Sequence, residues 1–207
     1  MRSSVLWTPI SSCVSRARNS SSPIAVWDRP PLRKPPMAVL NLAPGETPVA
    51  RPDPWVLLAD GEAPTVGAHV IVPFARFKVE HNELLAKAAA VGVAIGGADV
   101  VEELAPWVAR LQLVLLQFGV FKDGRLFTSA RLLRERFGFR GDLRATGDFI
   151  PDQAVFLLRS GVTSLEVGEA FPVETLARVV RAYSVRYQRA LDPQPVIIDQ
   201  RLQGNGA

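Results

Sequence analysis

The 207-residue chain contains a single cysteine, Cys13. An intramolecular disulfide is therefore impossible, and residues 37–207 carry no thiol at all. That excludes cysteine-ligated iron–sulfur clusters, cysteine zinc sites and thiol catalysis from the body of the protein. Histidine is nearly as scarce. His69 and His81 are the only two, and they form neither H-x-x-x-H nor H-E-x-x-H, so no metal site is expected. There is no G-x-S-x-G elbow and no Walker loop. Gly92 to Gly97 reads GVAIGG, which lacks the G-x-G-x-x-G spacing. Dinucleotide binding of the Rossmann kind has no support, and no cofactor is evident. No apolar run reaches the roughly 18 residues of a membrane span, so no membrane role is expected.

The sequence is 48% hydrophobic and 21% charged, which suits one domain with a sizeable core. Its net charge of +4 suggests nucleic acid until the charges are located. Residues 1–36 hold six basic side chains against one acid, Asp28, for a local charge of +5. The rest holds 18 basic and 19 acidic groups and is close to neutral. Aromatic residues are not interleaved with a basic stripe either. A nucleic-acid partner is thus not expected.

Residues 1–36 contain eight serines and no sustained apolar periodicity. They read as a disordered basic extension outside the fold, or as a mis-assigned upstream extension with the true start at Met37. A transit peptide shares the Ser- and Arg-rich composition. Pro30, Pro31, Pro35 and Pro36 would break its amphipathic helix, so it is the less favoured reading.

From Met37 to Pro54 the chain is proline-rich and expected to be extended. Short apolar runs then alternate with amphipathic stretches. Strands are predicted at Trp55–Ala59, His69–Val72, Gly92–Ile95, Leu113–Phe118, Asp142–Thr146 and Ser164–Val167, with Leu113–Phe118 the most buried. Helices are predicted at Val79–Ala90, from an Asp99 cap to Leu111 with a kink at Pro106, over Ser129–Phe137 with Gly138 as stop, from Pro151 to Gly161, and from Pro172. Val196–Ile198 offers an edge strand. The pattern implies an α/β fold of about five βα units with a mainly parallel sheet, either open or an incomplete TIM-barrel-like arc. Residues 37–190 form the single domain in this reading, and residues 191–207 a C-terminal tail.

In such folds ligands sit at the strand carboxyl ends, which selects the loops Gln117–Ser129, Gly147–Gln153 and Gly168–Phe171. In the first, Lys122, Asp123, Arg125 and Ser129 form either an anion or partner site or a polar turn before a capped helix. In the second, Asp148, Asp152 and Gln153 form either an acid/base pair, with Asp148 the catalytic candidate, or a helix cap. Arg131 and Arg134 share one side of the predicted helix, and Arg136 is turned away. They read as anion ligands or as a solvated face. Arg144 falls inside a predicted strand near its carboxyl end, where a charge must be paired or face the ligand crevice.

The stretch FKDGRLFTSARLLRERFGFRGDLRATGDFIPDQ, Phe121–Gln153, closely resembles an uncharacterised bacterial family, domain of unknown function 934. The family pattern falls on Asp123, Gly124, Arg125, Ser129, Arg131, Arg134, Gly138, Gly141, Arg144, Gly147, Asp148, Asp152 and Gln153, among others. Phe127 stands where a tyrosine is frequent, which excludes a hydroxyl role there. Weaker similarity runs from Trp55 to Tyr187. Members are commonly described as oxidoreductases involved in sulfite reduction. The resemblance implies a cytoplasmic accessory protein of assimilatory sulfate or sulfite reduction. Its partner would be sulfite or nitrite reductase, or the electron donor of that enzyme. The alternative is an enzyme or sensor that binds a small anion through the same arginines and aspartates. The label of oxidoreductase meets a body with no thiol and no dinucleotide fingerprint.

Overall fold

A computed structural model describes residues 37–204; the expectations for residues 1–36 lie outside the described residues. Eight strands form one sheet: β1 (Met37–Asn41), β2 (Val49–Arg51), β3 (Trp55–Leu57), β4 (His69–Pro73), β5 (Ala90–Gly96), β6 (Leu113–Phe118), β7 (Asp142–Gly147) and β8 (Ser164–Gly168). Their spatial order is β2-β1-β8-β7-β6-β5-β4-β3. Strands β3 to β8 are mutually parallel and follow one another in space as they do in sequence. β1 pairs antiparallel with β8, and β2 antiparallel with β1.

The α/β class and the parallel arc were legible in the sequence, whereas the antiparallel pair at one edge makes the sheet mixed. The stretch expected only to be extended closes that edge. Alternation of burial explains why these segments are strands. Val114, Leu116 and Phe118 join the large core under the helices, while Leu113 and Leu115 meet Ile71, Ala94 and Trp55 on the opposite face. With both faces covered, β6 reads as an almost unbroken apolar run, as its sequence implied.

The sheet is a curled half-barrel, and one short link shows why it must bend. Residues 52–54 join β2 at one edge to β3 at the other. Four extended residue steps reach at most about 14 Å. A flat eight-stranded sheet would separate those edges by roughly 34 Å at about 4.8 Å per spacing. The two edges therefore approach each other.

The helices are α1 (Phe74–Lys87), α2 (Arg125–Arg131), α3 (Ala154–Arg159), α4 (Val173–Arg181) and α5 (Ile197–Gly204). Four expectations require correction. α1 starts at Phe74 instead of Val79, because Pro73, with its fixed φ, leads directly from β4 into the first turn. The helix predicted over Asp99–Leu111 is replaced by two short 3-10 turns, Val101–Leu104 and Val108–Arg110. Pro106 lies between them and cannot donate to a continuous ladder. Asp99 instead accepts the Gly96 N–H at 2.7 Å, so it closes a turn at the strand end. This crossover breaks the expected series of five βα units.

The helix predicted over Ser129–Phe137 begins four residues earlier and passes into a π turn, Leu132–Arg136. Gly138, at φ 66°, ends it as expected, with the Phe139 N–H bonded to the Leu133 carbonyl at 2.8 Å. The predicted strand Val196–Ile198 is a lone parallel bridge between Val196 and Arg186, after which α5 begins. Val196 and the Arg186–Asp192 ion pair are buried.

Candidate functional site at the strand carboxyl ends

The loops after β5, β6 and β7 lie side by side, and hydrogen bonds join the last two. Asp123 binds the Arg125 guanidinium through two contacts, Nε at 2.9 Å and Nη2 at 2.7 Å, and also accepts the Arg125 backbone N–H at 3.1 Å. Those hydrogen bonds hold the Asp123 carboxyl down at about 2. The pair lies over Gly97 in the preceding loop, where a Cβ would collide with the Asp123 carboxylate. On the other side, Asp148 Oδ2 accepts the Phe121 N–H at 3.1 Å, and its own N–H donates to the Phe118 carbonyl at 2.8 Å. Gly147 makes this junction possible. Its φ is 111°, and a Cβ would overlap the Phe118 carbonyl oxygen. Gln153 Oε1 accepts the Ile150 N–H at 3.3 Å and closes the next turn, beside an exposed Asp152.

Beneath these loops Phe127, Phe118, Phe149 and Phe171 follow one another edge to face, with ring centroids 5.3–6.2 Å apart. Above them the tips are apolar. Val100 is 52%, Val120 47%, Phe121 42% and Ile150 43% exposed. Reasoning from the sequence singled out the charged neighbours and passed over these four. For three of them the signal was present: Val120, Phe121 and Ile150 fall in predicted loops within two residues of Gly, Asp or Pro, whereas Val100 fell in the helix predicted from Asp99.

The other candidates are elsewhere. Ser129 is buried inside α2, its hydroxyl 3.4 Å from the Arg125 carbonyl. Arg131 is exposed and paired with Glu135 at 3.0 Å. Arg134 faces the amino ends of the strands. It donates to the carbonyls of Gly161, Phe139 and Gly141 at 2.8–2.9 Å and stacks on the Phe139 ring. Burial lowers its pKa from the usual value against the opposing charge of Asp142, and the group keeps its proton.

Arg144 is the third residue of β7, so it lies in the amino half of the strand and not near its carboxyl end. It is 1% exposed and faces the inside of the curl. Its Nη1 donates to Asp53 at 2.9 Å, on the link between the two sheet edges, and its Nη2 to Asp142 at 3.3 Å. Asp142 also accepts from Arg51, Thr163 and Ser164. Burial pushes the Asp142 carboxyl up, but the two hydroxyls and the two arginines outweigh it and hold the pKa below the ordinary value. The Nε of Arg144 has no hydrogen-bond partner among the described residues.

Among the described residues no three His, Cys, Asp or Glu side chains gather as metal ligands, and no helix is long and apolar enough to cross a membrane. No curated protein and no solved structure matches the chain. A family model described as a bacterial protein of unknown function matches residues 92–197, which is just over half of the chain and takes in most of β5, all of β6 to β8 and the loops that follow them. With that match, the chain belongs to the bacterial DUF934 family.

Proposed function

We propose that this protein is a cytoplasmic, non-redox accessory factor of assimilatory sulfate and sulfite reduction. It binds sulfite or nitrite reductase, or the electron donor of that enzyme, through the loops at the strand carboxyl ends. The pathway rests on the resemblance of Phe121–Gln153 to a family described in those terms. Binding as the mode of action rests on one observation: three adjacent loops, with Asp123–Arg125 lying close to Gly97 and Asp148 bonded to the Phe121 N–H, present Val100, Val120, Phe121 and Ile150 to solvent. Exposed apolar side chains gathered at one end of a sheet resemble the centre of a protein interface more than a reaction pocket. Of the two carboxylates in the acid/base reading, Asp152 is exposed at the start of a 3-10 turn, and Asp148 is already engaged. Asp148 holds a backbone N–H, and Asp123 holds Arg125.

Deletion of the gene is the direct test. A deletion strain should grow poorly on sulfate or sulfite and normally on sulfide. Wild-type growth on sulfate would remove the pathway assignment.

A second reading, an enzyme or sensor for a small anion, draws on the unpartnered Nε of the buried Arg144. It predicts stabilisation of about 2.7 kcal/mol by sulfite, sulfate or adenylyl sulfate at 100 times the dissociation constant, abolished in Arg144→Ala. Unchanged thermal midpoints with all three would dismiss it.

A further inference from the structure

The apolar tips at the strand carboxyl ends are ringed by charge of one sign. Set aside the Asp123–Arg125 pair and Glu103, which is bound to Lys78 at 2.9 Å. From the end of β5, β6, β7 and β8 through the first helical turn that follows each, the chain then holds Asp99, Glu102, Asp148, Asp152, Glu169 and Glu174 against Lys122 alone. The body as a whole is nearly neutral, so this is a segregation of charge and not a reflection of composition.

Helix geometry accounts for part of it. Glu102, Asp152 and Glu174 lie in first turns, where backbone N–H groups favour an acid. Asp148 and Glu169 lie in loops outside any first turn, and the macrodipole gives no reason for exposed Val100, Val120, Phe121 and Ile150. A small anion approaching this end meets a negative field. A protein with a cationic rim around an apolar centre is complementary to it on both counts.

We propose that the strand carboxyl-end face docks a basic protein surface, with Phe121 and Ile150 as the apolar anchors and Asp152 and Glu169 on the acidic rim. The inference rests on the accessory-protein reading and specifies the chemistry of the partner side. Binding of the full chain to purified sulfite reductase, and separately to its electron donor, tests it at low and at high salt. Asp152→Lys/Glu169→Lys and Phe121→Ser/Ile150→Ser serve as surface variants, each checked for an unchanged circular dichroism spectrum and thermal midpoint. A photo-crosslinker placed at position 121 reports what lies opposite.

For one of the two proteins, affinity should fall at least tenfold in each variant and at least tenfold with added salt. Its crosslinked peptide should be rich in Lys and Arg. Binding that survives both variants overturns this surface and leaves the accessory role standing. Absence of binding to either protein at low salt, with wild-type growth of the deletion strain, overturns both.

Discussion

Two residues show how closely a position can be fixed by backbone and charge. Gly147 ends β7 with φ 111° and no room for a Cβ against the Phe118 carbonyl. Gly147→Ala should cost about 2–4 kcal/mol, read as a lower urea midpoint, with strain and displacement of the Asp148 loop both contributing. Asp142 is the hub of the buried charges. Its pKa is depressed in the folded protein, so its stabilising contribution is complete above the unfolded value, near 4, and is lost as pH falls through the lower folded value. Asp142→Asn should therefore reduce stability at neutral pH and flatten the acid limb below about pH 4, measured by thermal melts across pH. An equally steep acid limb in the variant would assign the acid sensitivity to other carboxylates. The sequence marked Arg144 as a charge in need of a partner. It could not reveal that the partners are Asp142, two residues away on the same strand, and Asp53, ninety-one positions earlier in the chain.

Among the elements, the segment Arg125–Gly141 joins two ends of the sheet. Its first turn carries Arg125 at the strand carboxyl ends, and its π turn carries Arg134 to the amino ends, where three carbonyls receive the guanidinium. Those carbonyls belong to the segments that precede β7 and β8, so Arg134 fixes where both strands begin. Arg134→Lys keeps the charge but cannot reproduce the planar fork, and should cost about 2 kcal/mol. Amide exchange should accelerate at Leu143 and Val162 in that variant. Unchanged exchange there would mean the staple is dispensable. Apolar periodicity made this helix visible in the sequence, together with its Gly138 stop. The π turn was not visible, because apolar periodicity does not distinguish it from an α turn, and one of the carbonyls that Arg134 meets, that of Gly161, lies 27 residues on. The segment Asp99–Leu111 failed for a related reason. Its spacing mimics a capping box, yet Pro106 interrupts the ladder, and the Asp99 side chain is taken by the Gly96 N–H, so two 3-10 turns form instead.

At the scale of the whole molecule, the curl of the sheet depends on residues 52–54 and on Asp53 reaching inward to Arg144. Asp53→Ala should lower stability by about 2–3 kcal/mol, because it leaves one end of a buried guanidinium unpaired. Faster exchange at β2 and β3 than elsewhere in the sheet would locate the loss at the closing edges. Uniform acceleration would show instead that the link and the sheet open together. Parallel strands with helices between them follow from local patterning, since alternation and apolar run length are recorded residue by residue. The exclusion of thiol chemistry from the body is likewise a property of composition. Closure of the sheet is not, because it depends on where a proline-rich stretch finds its hydrogen bonds. Nor does sequence order show that one end of the sheet collects six carboxylates around four apolar tips. The sequence by itself determined the class of fold, the family and what the protein cannot do with sulfur ligands of its own. Only the tertiary structure decided which charges are spent on holding the fold and which remain for a partner, because an ion pair forms between groups that are close in space, however distant they are along the chain.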